Sequence, residues 1–185
     1  MTTTFFSFEF ERTLQAVAYL LKKYGQAMPY ILLLKLLYIA DREYLMEEGE
    51  MITGDRVFAM EYGPVLSGTY NMIKAEDSRS GQWEQFFQRC GEYDIRVIRD
   101  PGDDVLCVAI REKLDSVFQR FGSRQPFDVV DDTHQFKEWQ AFYKEGTSTP
   151  IPWQEILRLN ECEAMIPIAE ENIQIQQEMN LLETR

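Results

Sequence analysis

Between Tyr30 and Ile39 the chain reads YILLLKLLYI, with Lys35 as its only charge. A helix apolar around most of its circumference cannot lie on a surface, so other elements must enclose it. Pro29 suits the first turn of this helix, which continues through Leu45 to Met46. Asp41–Glu50 is charged, and Gly49 is a natural stop. Leu36, Leu37 and Ile39 are therefore expected to be largely buried, and the rest of the chain has to wrap them.

Most of that wrapping is predicted to be helical. Phe10, Leu14, Val17, Ala18 and Leu21 mark an amphipathic helix over 10–24, ended by Gly25. Further helices are expected from Pro64 to about Lys74, briefly over 83–88, and at about 111–121, 127–142 and 152–160. A last amphipathic helix is expected at about 164–182. Thr147–Pro150 reads as a loop and 75–82 as a polar one. Alternation over Arg56–Tyr62 suggests one short strand. The β-rich runs Ile95–Arg99 and Val105–Ile110 flank Asp100-Pro101-Gly102-Asp103-Asp104, which predicts a β-hairpin. With no repeat and no linker between two cores, the expectation is one compact, mainly α domain over 1–185 with a small β element.

Charge and cysteine usage narrow the partners. Thirty-one acidic residues face nineteen basic ones, a net charge of −12, so binding to phosphate backbones is disfavoured. The excess is concentrated after residue 125, where 12 acids meet 4 bases. Cys90, Cys107 and Cys162 are scattered and odd in number, which fits a reducing compartment rather than a disulfide framework. The N-terminus has no signal-like core, and Tyr30–Leu34 is too short to span a bilayer. A cytoplasmic protein without membrane or nucleic-acid partners is expected.

The residues offer little for catalysis. No phosphate-loop, dinucleotide, zincin or nucleophile-elbow motif occurs. His134 is the single histidine, beside Asp131 and Asp132, and reads as a local cap or hydrogen-bonded group rather than a metal ligand. Asp41, Glu43, Glu47 and Glu48 cluster at one helix exit. One helix face does not place two carboxyls across a cleft, and Arg42 and Arg56 are expected to compensate some of the charge. No metal and no cofactor is expected, and the chain reads as a binding protein rather than an enzyme. Asp41 follows an apolar stretch, so its carboxylate should accept hydrogen bonds from the 49–63 turn.

Three motif pieces occur in order: Lys35-Leu36-Leu37-Tyr38-Ile39-Ala40-Asp41, then Gly49 with Ile52-Thr53-Gly54-Asp55, then Tyr62-Gly63-Pro64-Val65. Together they resemble the Panacea, or SocA-like, antitoxin domain of bacterial and phage toxin–antitoxin pairs. The likeness is closest over residues 10–75. It implies a proteinaceous antitoxin whose partner is a cognate protein toxin. The alternative it implies is a proteolytic adaptor, with a protease as second partner, or a phage-encoded host-interacting protein of the same fold. In either case Lys35, Tyr38, Asp41, Gly54, Asp55, Tyr62, Gly63, Pro64 and Val65 read as scaffold. Gly54 and Gly63 suit turns needing positive φ, and Pro64 suits a helix start.

Partner contact is then sought on the acidic C-terminal helix. It sets Ile166, Ile173 and Met179 against Glu163, Glu170, Glu171 and Glu178. With so few apolar groups it gains little from packing on its own domain, which makes Ile166, Glu170, Ile173 and Glu178 the candidate partner-binding residues; the alternative is that the helix packs across the domain with its charges solvated. An acidic helix could enter a basic toxin site and speed encounter.

Overall fold

The structure, a computed structural model, describes residues 4–183. Residues 1–3, part of the stretch read above for a signal, lie outside it. Helix α1 spans Phe10–Tyr24 and α2 Tyr30–Glu48, joined through a two-residue strand β1, Met28–Pro29. Both helices stop on left-handed glycines: Gly25 (φ 78°) donates to Leu21 O, and Gly49 (φ 66°) to Leu45 O. Every residue of α2 from Leu32 to Asp41 is buried, and Leu36, Leu37 and Ile39 are at most 1% exposed. The all-round apolar helix is the centre of the molecule.

Strands β2 (Val57–Met60) and β3 (Gly63–Leu66) form an antiparallel hairpin, with Val57 opposite Leu66 and Met60 opposite Gly63. The expected helix start at Pro64 is therefore corrected. Residues 63–66 are a strand, and helix α3 begins afterwards, at Ser67–Ile73. Pro64 is tolerated because β3 is an edge of the sheet, where a missing N–H breaks no ladder. Strand β6 (Thr149–Ile151), expected to be loop, covers the other side of β2. Val57 and Ala59 are buried and Phe58 and Met60 half-buried, the alternation of a strand.

A second sheet holds the other correction. A short helix α4 (Ser80–Trp83) precedes strand β4 (Phe87–Cys90), so the helix expected over 83–88 is instead a turn that leads into a strand. Trp83 and Phe87 are both buried with ring centroids 4.4 Å apart, a contact that draws the chain inward there. Strand β5 (Asp94–Val97) pairs with β4 and with β1, not with residues 105–110. Those residues lead into α5 (Val108–Phe121), and buried Leu106, Ile110, Leu114 and Val117 reveal a helical period inside the β-branched run. The Pro101–Val105 loop is held instead by buried Gln15. Its amide donates to Pro101 O (3.2 Å) and Asp104 Oδ1 (2.7 Å), and it accepts from Val105 N (2.9 Å).

The predicted helix 127–142 is two: α6 (Pro126–Thr133) and α7 (Lys137–Phe142), broken at His134–Phe136. Helix α8 covers Trp153–Leu159, and a 3₁₀ turn, Glu163–Met165, leads into α9, Ile166–Glu183. Helix α9 gains more from its own domain than its composition suggests. Ala169 and Ile173 are fully buried and Ile166 packs on the core. Asn172 donates to Gly49 O at 3.0 Å. The Gln176 side chain meets Ser7 and Glu9, so α9 lies across the N-terminal segment. The fold is mainly α with small antiparallel sheets, enclosing α2.

Candidate functional site

Lys35, Tyr38 and Asp41 sit at i, i+3 and i+6 of α2, and each reaches a different neighbour. The Lys35 ammonium, 1% exposed, donates to Pro64 O at 2.8 Å and so ties the β2–β3 hairpin to α2. Burial lowers its pKa from 10.5 to about 7. Gly63 is what lets the lysine in. Its φ is 90°, and a Cβ there would collide with the Thr133 hydroxyl and lie 3.1 Å from Lys35 Nζ.

Tyr38 donates to Glu138 Oε1 at 2.9 Å. Glu138 is fully buried, yet its carboxylate is saturated: Arg42 Nε donates to Oε1 at 2.5 Å and Asn160 Nδ2 to Oε2 at 2.9 Å. The Arg42 guanidinium also lies 4.1 Å from the Phe136 ring centroid. Burial first, and the Glu138 charge second, push the Tyr38 hydroxyl well above its ordinary pKa. This clip joins α2, α7 and α8. Glu138 was missed by sequence reasoning, because a lone glutamate between Lys137 and Trp139 looks like any surface acid.

Asp41 accepts from Thr53 N at 2.9 Å and from the Thr53 hydroxyl. Desolvation outweighs these bonds and raises its pKa from 3.8 to about 7. The same turn continues into Asp55, whose two oxygens accept from Arg56 N, Gly68 N, Thr69 N and the Thr69 hydroxyl at 2.7–2.9 Å. Asp55 thereby satisfies two amides at the start of α3, from outside the helix. Burial raises its pKa too. Gly54 (φ 63°) lies against the Ser7 carbonyl, where a Cβ would collide.

These contacts use the motif inside the fold. Val65 is buried, and Tyr62 is the motif side chain turned to solvent, 54% exposed, with its ring 6.0 Å from that of Phe127. Glu43 and Glu47 of the charge cluster at the α2 exit are also paired, though not by the arginines expected. Lys113 pairs with Glu43 (3.2 Å) and Glu47 (2.7 Å), and Arg120 pairs with Glu43 (2.7 Å). Arg42 goes to Glu138 instead. His134 ends α6, with Nε2 3.1 Å from Glu61 O and its ring stacked on Trp139. No group of three His, Cys, Asp or Glu suited to a metal occurs among the described residues. A largely apolar cavity of about 440 Å³ lies beside Phe5, Phe58, Ile151 and Trp153. The titratable groups on its wall are Asp55, already fully bonded, and Arg56.

A family model of the antitoxin SocA-like Panacea domain matches residues 33–140. The chain belongs to that family. No curated protein and no solved structure matches it. The matched stretch of the Panacea domain contains every hydrogen bond described for Lys35, Asp41 and Asp55, together with the Tyr38–Glu138 bond. It stops before α8 and α9. It makes this chain an antitoxin-like domain, for which a protein partner is implied.

The four candidate partner residues divide in two. Ile173 is fully buried and Ile166 half-buried against the domain itself. Glu170 and Glu178 are exposed. The large apolar groups that α9 shows to solvent are Ile168, Ile175, Met179, Leu181 and Leu182, and all but Leu181 follow spacings of 7, 4 and 3 along one face. Sequence alone could not tell this stripe from the buried one, since both repeat at helical spacing. No helix among the described residues is long and apolar enough to cross a membrane.

Proposed function

We propose that this chain is a cytoplasmic antitoxin that binds a cognate protein toxin and holds it inactive. The observation that carries the reading is the Panacea match over residues 33–140. Two features support it. The buried polar groups of the motif, Lys35, Tyr38, Asp41 and Asp55, are all engaged in the fold. The outer face of α9 combines exposed Ile168, Ile175, Met179 and Leu182 with the carboxylates of Glu170, Glu171 and Glu178. Such a face suits a partner surface that is apolar at its centre and basic at its rim.

The test is co-expression with the product of the adjoining open reading frame. Rescue of growth together with co-purification of the two chains is expected. Unrelieved toxicity, or rescue without a complex, would overturn the proposal. Removing everything after Glu161 is not the cleanest way to probe α9, because it uncovers the core around Ala169 and Ile173. Ile175→Asp with Met179→Asp replaces two exposed side chains and leaves the buried Ala169 and Ile173 in place, and is expected to weaken the complex while the fold persists.

A further inference from the structure

We infer that a second contact surface lies at the β2–β3 hairpin tip and the α6–α7 corner, and that it docks a basic segment of the partner protein through arginine or lysine side chains. The inference rests on the antitoxin reading for the partner's identity, and on the geometry below for the place. About 20 Å along α2 separates the level of Lys35 from that of Gly49, where α9 attaches, so the two surfaces are distinct.

Five rings form a strip here. Tyr62 at the hairpin tip meets Phe127 edge-on at 6.0 Å, and both are more than half exposed (54% and 60%). His134, bonded to Glu61 O, continues the strip by stacking on Trp139 at 4.1 Å, and Trp139 stacks on Tyr143 at 4.5 Å. The last three rings are half-buried. Trp139 Nε1 donates to Met60 O at 2.9 Å, which fixes the indole, and with it the stacked rings of His134 and Tyr143, against the hairpin. Rigid aromatics of this kind lose little entropy when covered, and large exposed apolar groups gathered on one face mark an interaction site.

Charge selects the occupant. Glu61, Asp128 and Asp131 are exposed beside these rings, and none of them has an ion-pair or side-chain hydrogen-bond partner among the described residues. Phe127, Asp131 and His134 are at i, i+4 and i+7, so carboxylate and rings share one face of α6. The cations nearby are committed: Arg124 to Asp132 and Lys137 to Glu161, with Lys144 beyond the far end. Ring faces carry partial negative charge, so they and the three carboxylates attract the same ligand, a cation on an apolar stem. A second copy of this chain would present the same carboxylates and be repelled.

Two measurements test the inference. In the first, a deca-arginine peptide is titrated into the isotopically labelled protein, with deca-glutamate as control. Shifts of the Trp139 indole and of the Tyr62 and Asp131 amides with arginine alone are expected. Shifts confined to α9, or equal for both peptides, would overturn the inference. The second measures affinity for the co-expressed toxin. Tyr62→Ser with Phe127→Ser is expected to weaken the complex at least about tenfold, as for aromatic anchors elsewhere. Glu61→Lys with Asp131→Lys is expected to slow association and to abolish its acceleration at low salt. All four sites are exposed, so melting temperatures should hold. Unchanged affinity in both variants sinks the strip as an interface, as does a wild-type dimer dispersed by Tyr62→Ser. If the wild-type chain fails to rescue at all, the antitoxin reading falls, and the strip is judged on the peptide titration.

Discussion

The Tyr38 hydroxyl donates to the Glu138 carboxylate at 2.9 Å, across one hundred residues of sequence. Arg42 and Asn160 complete the same carboxylate, so three side chains, two from α2 and one from the residue after α8, converge on one buried glutamate of α7. Glu138→Ala is expected to cost about 3–5 kcal/mol, because it leaves Arg42 charged, mostly enclosed and without its partner. Chemical denaturation reads this directly. A midpoint within error of wild type would show that the clip contributes nothing.

Asp41 gives the protein an acid-side pH dependence. Its folded pKa, about 7, lies above its ordinary 3.8, so the folded state binds the proton more tightly. The stability it contributes is complete below about pH 4 and is lost as pH rises towards 7. Asp41→Asn should therefore gain on wild type between pH 4 and pH 7 and run parallel to it above. Asp41→Ala, which strands the Thr53 N–H and hydroxyl, is expected to cost about 1–3 kcal/mol. Urea unfolding of the three proteins at pH 5 and pH 8 separates the two effects.

Lys35 has the opposite sign. Burial lowers its pKa from 10.5 to about 7, so its contribution is complete above pH 10.5 and is lost as pH falls towards 7. Lys35→Met removes the donor to Pro64 O and with it about 1–3 kcal/mol. The deficit should widen from pH 7 to pH 10. Taken together, Asp41 and Lys35 place a minimum near neutrality in their joint contribution to stability. A deficit for Lys35→Met that narrows at high pH would contradict the buried neutral amine.

Gly54→Ala adds a Cβ at φ 63° into the Ser7 carbonyl. A loss of about 2 kcal/mol or more is expected, from backbone strain and displacement of the N-terminal segment. Gly81 is the control: it lies in α4 with nothing within 4 Å of the added atom, so Ala there should be neutral or slightly stabilising. Equal losses at both glycines would rule out the Ser7 contact as the cause.

Helix α9 offers a paired comparison on one element. Ile173 is fully buried and Ile175 about half exposed. Ile173→Ala is expected to cost about 2–5 kcal/mol, and Ile175→Ala to stay within about 0.5 kcal/mol. Thermal melts of both variants test which face of α9 the domain uses.

Local pattern was enough for the elements whose signal is periodic and continuous. The bounds of α1, the burial of α2, the glycine stops at Gly25 and Gly49 and the strand-like alternation over Val57–Met60 all follow from spacing that each segment carries within itself. The ordered motif likewise pointed to the Panacea family, because its residues recur at set distances along the chain. Asp41 belongs here too: a carboxylate at the edge of an apolar helix must find donors, and the nearest turn supplies Thr53.

Tertiary structure decided whatever depends on a partner far away in sequence. Val105–Ile110 has the composition of a strand, but Gln15 holds the preceding loop and the core takes Ile110, Leu114 and Val117 as a helix. Pro64 has the look of a helix start, but pairing with Ala59 makes it an edge strand. Glu138 carries no local sign of burial, since its donors come from positions 38, 42 and 160. Ile173 and Ile175 differ in fate only because the Gly49 turn and the N-terminal segment cover one side of α9. Composition and period record what a segment can bury; which side is buried, and which charge is answered, is settled when distant segments meet.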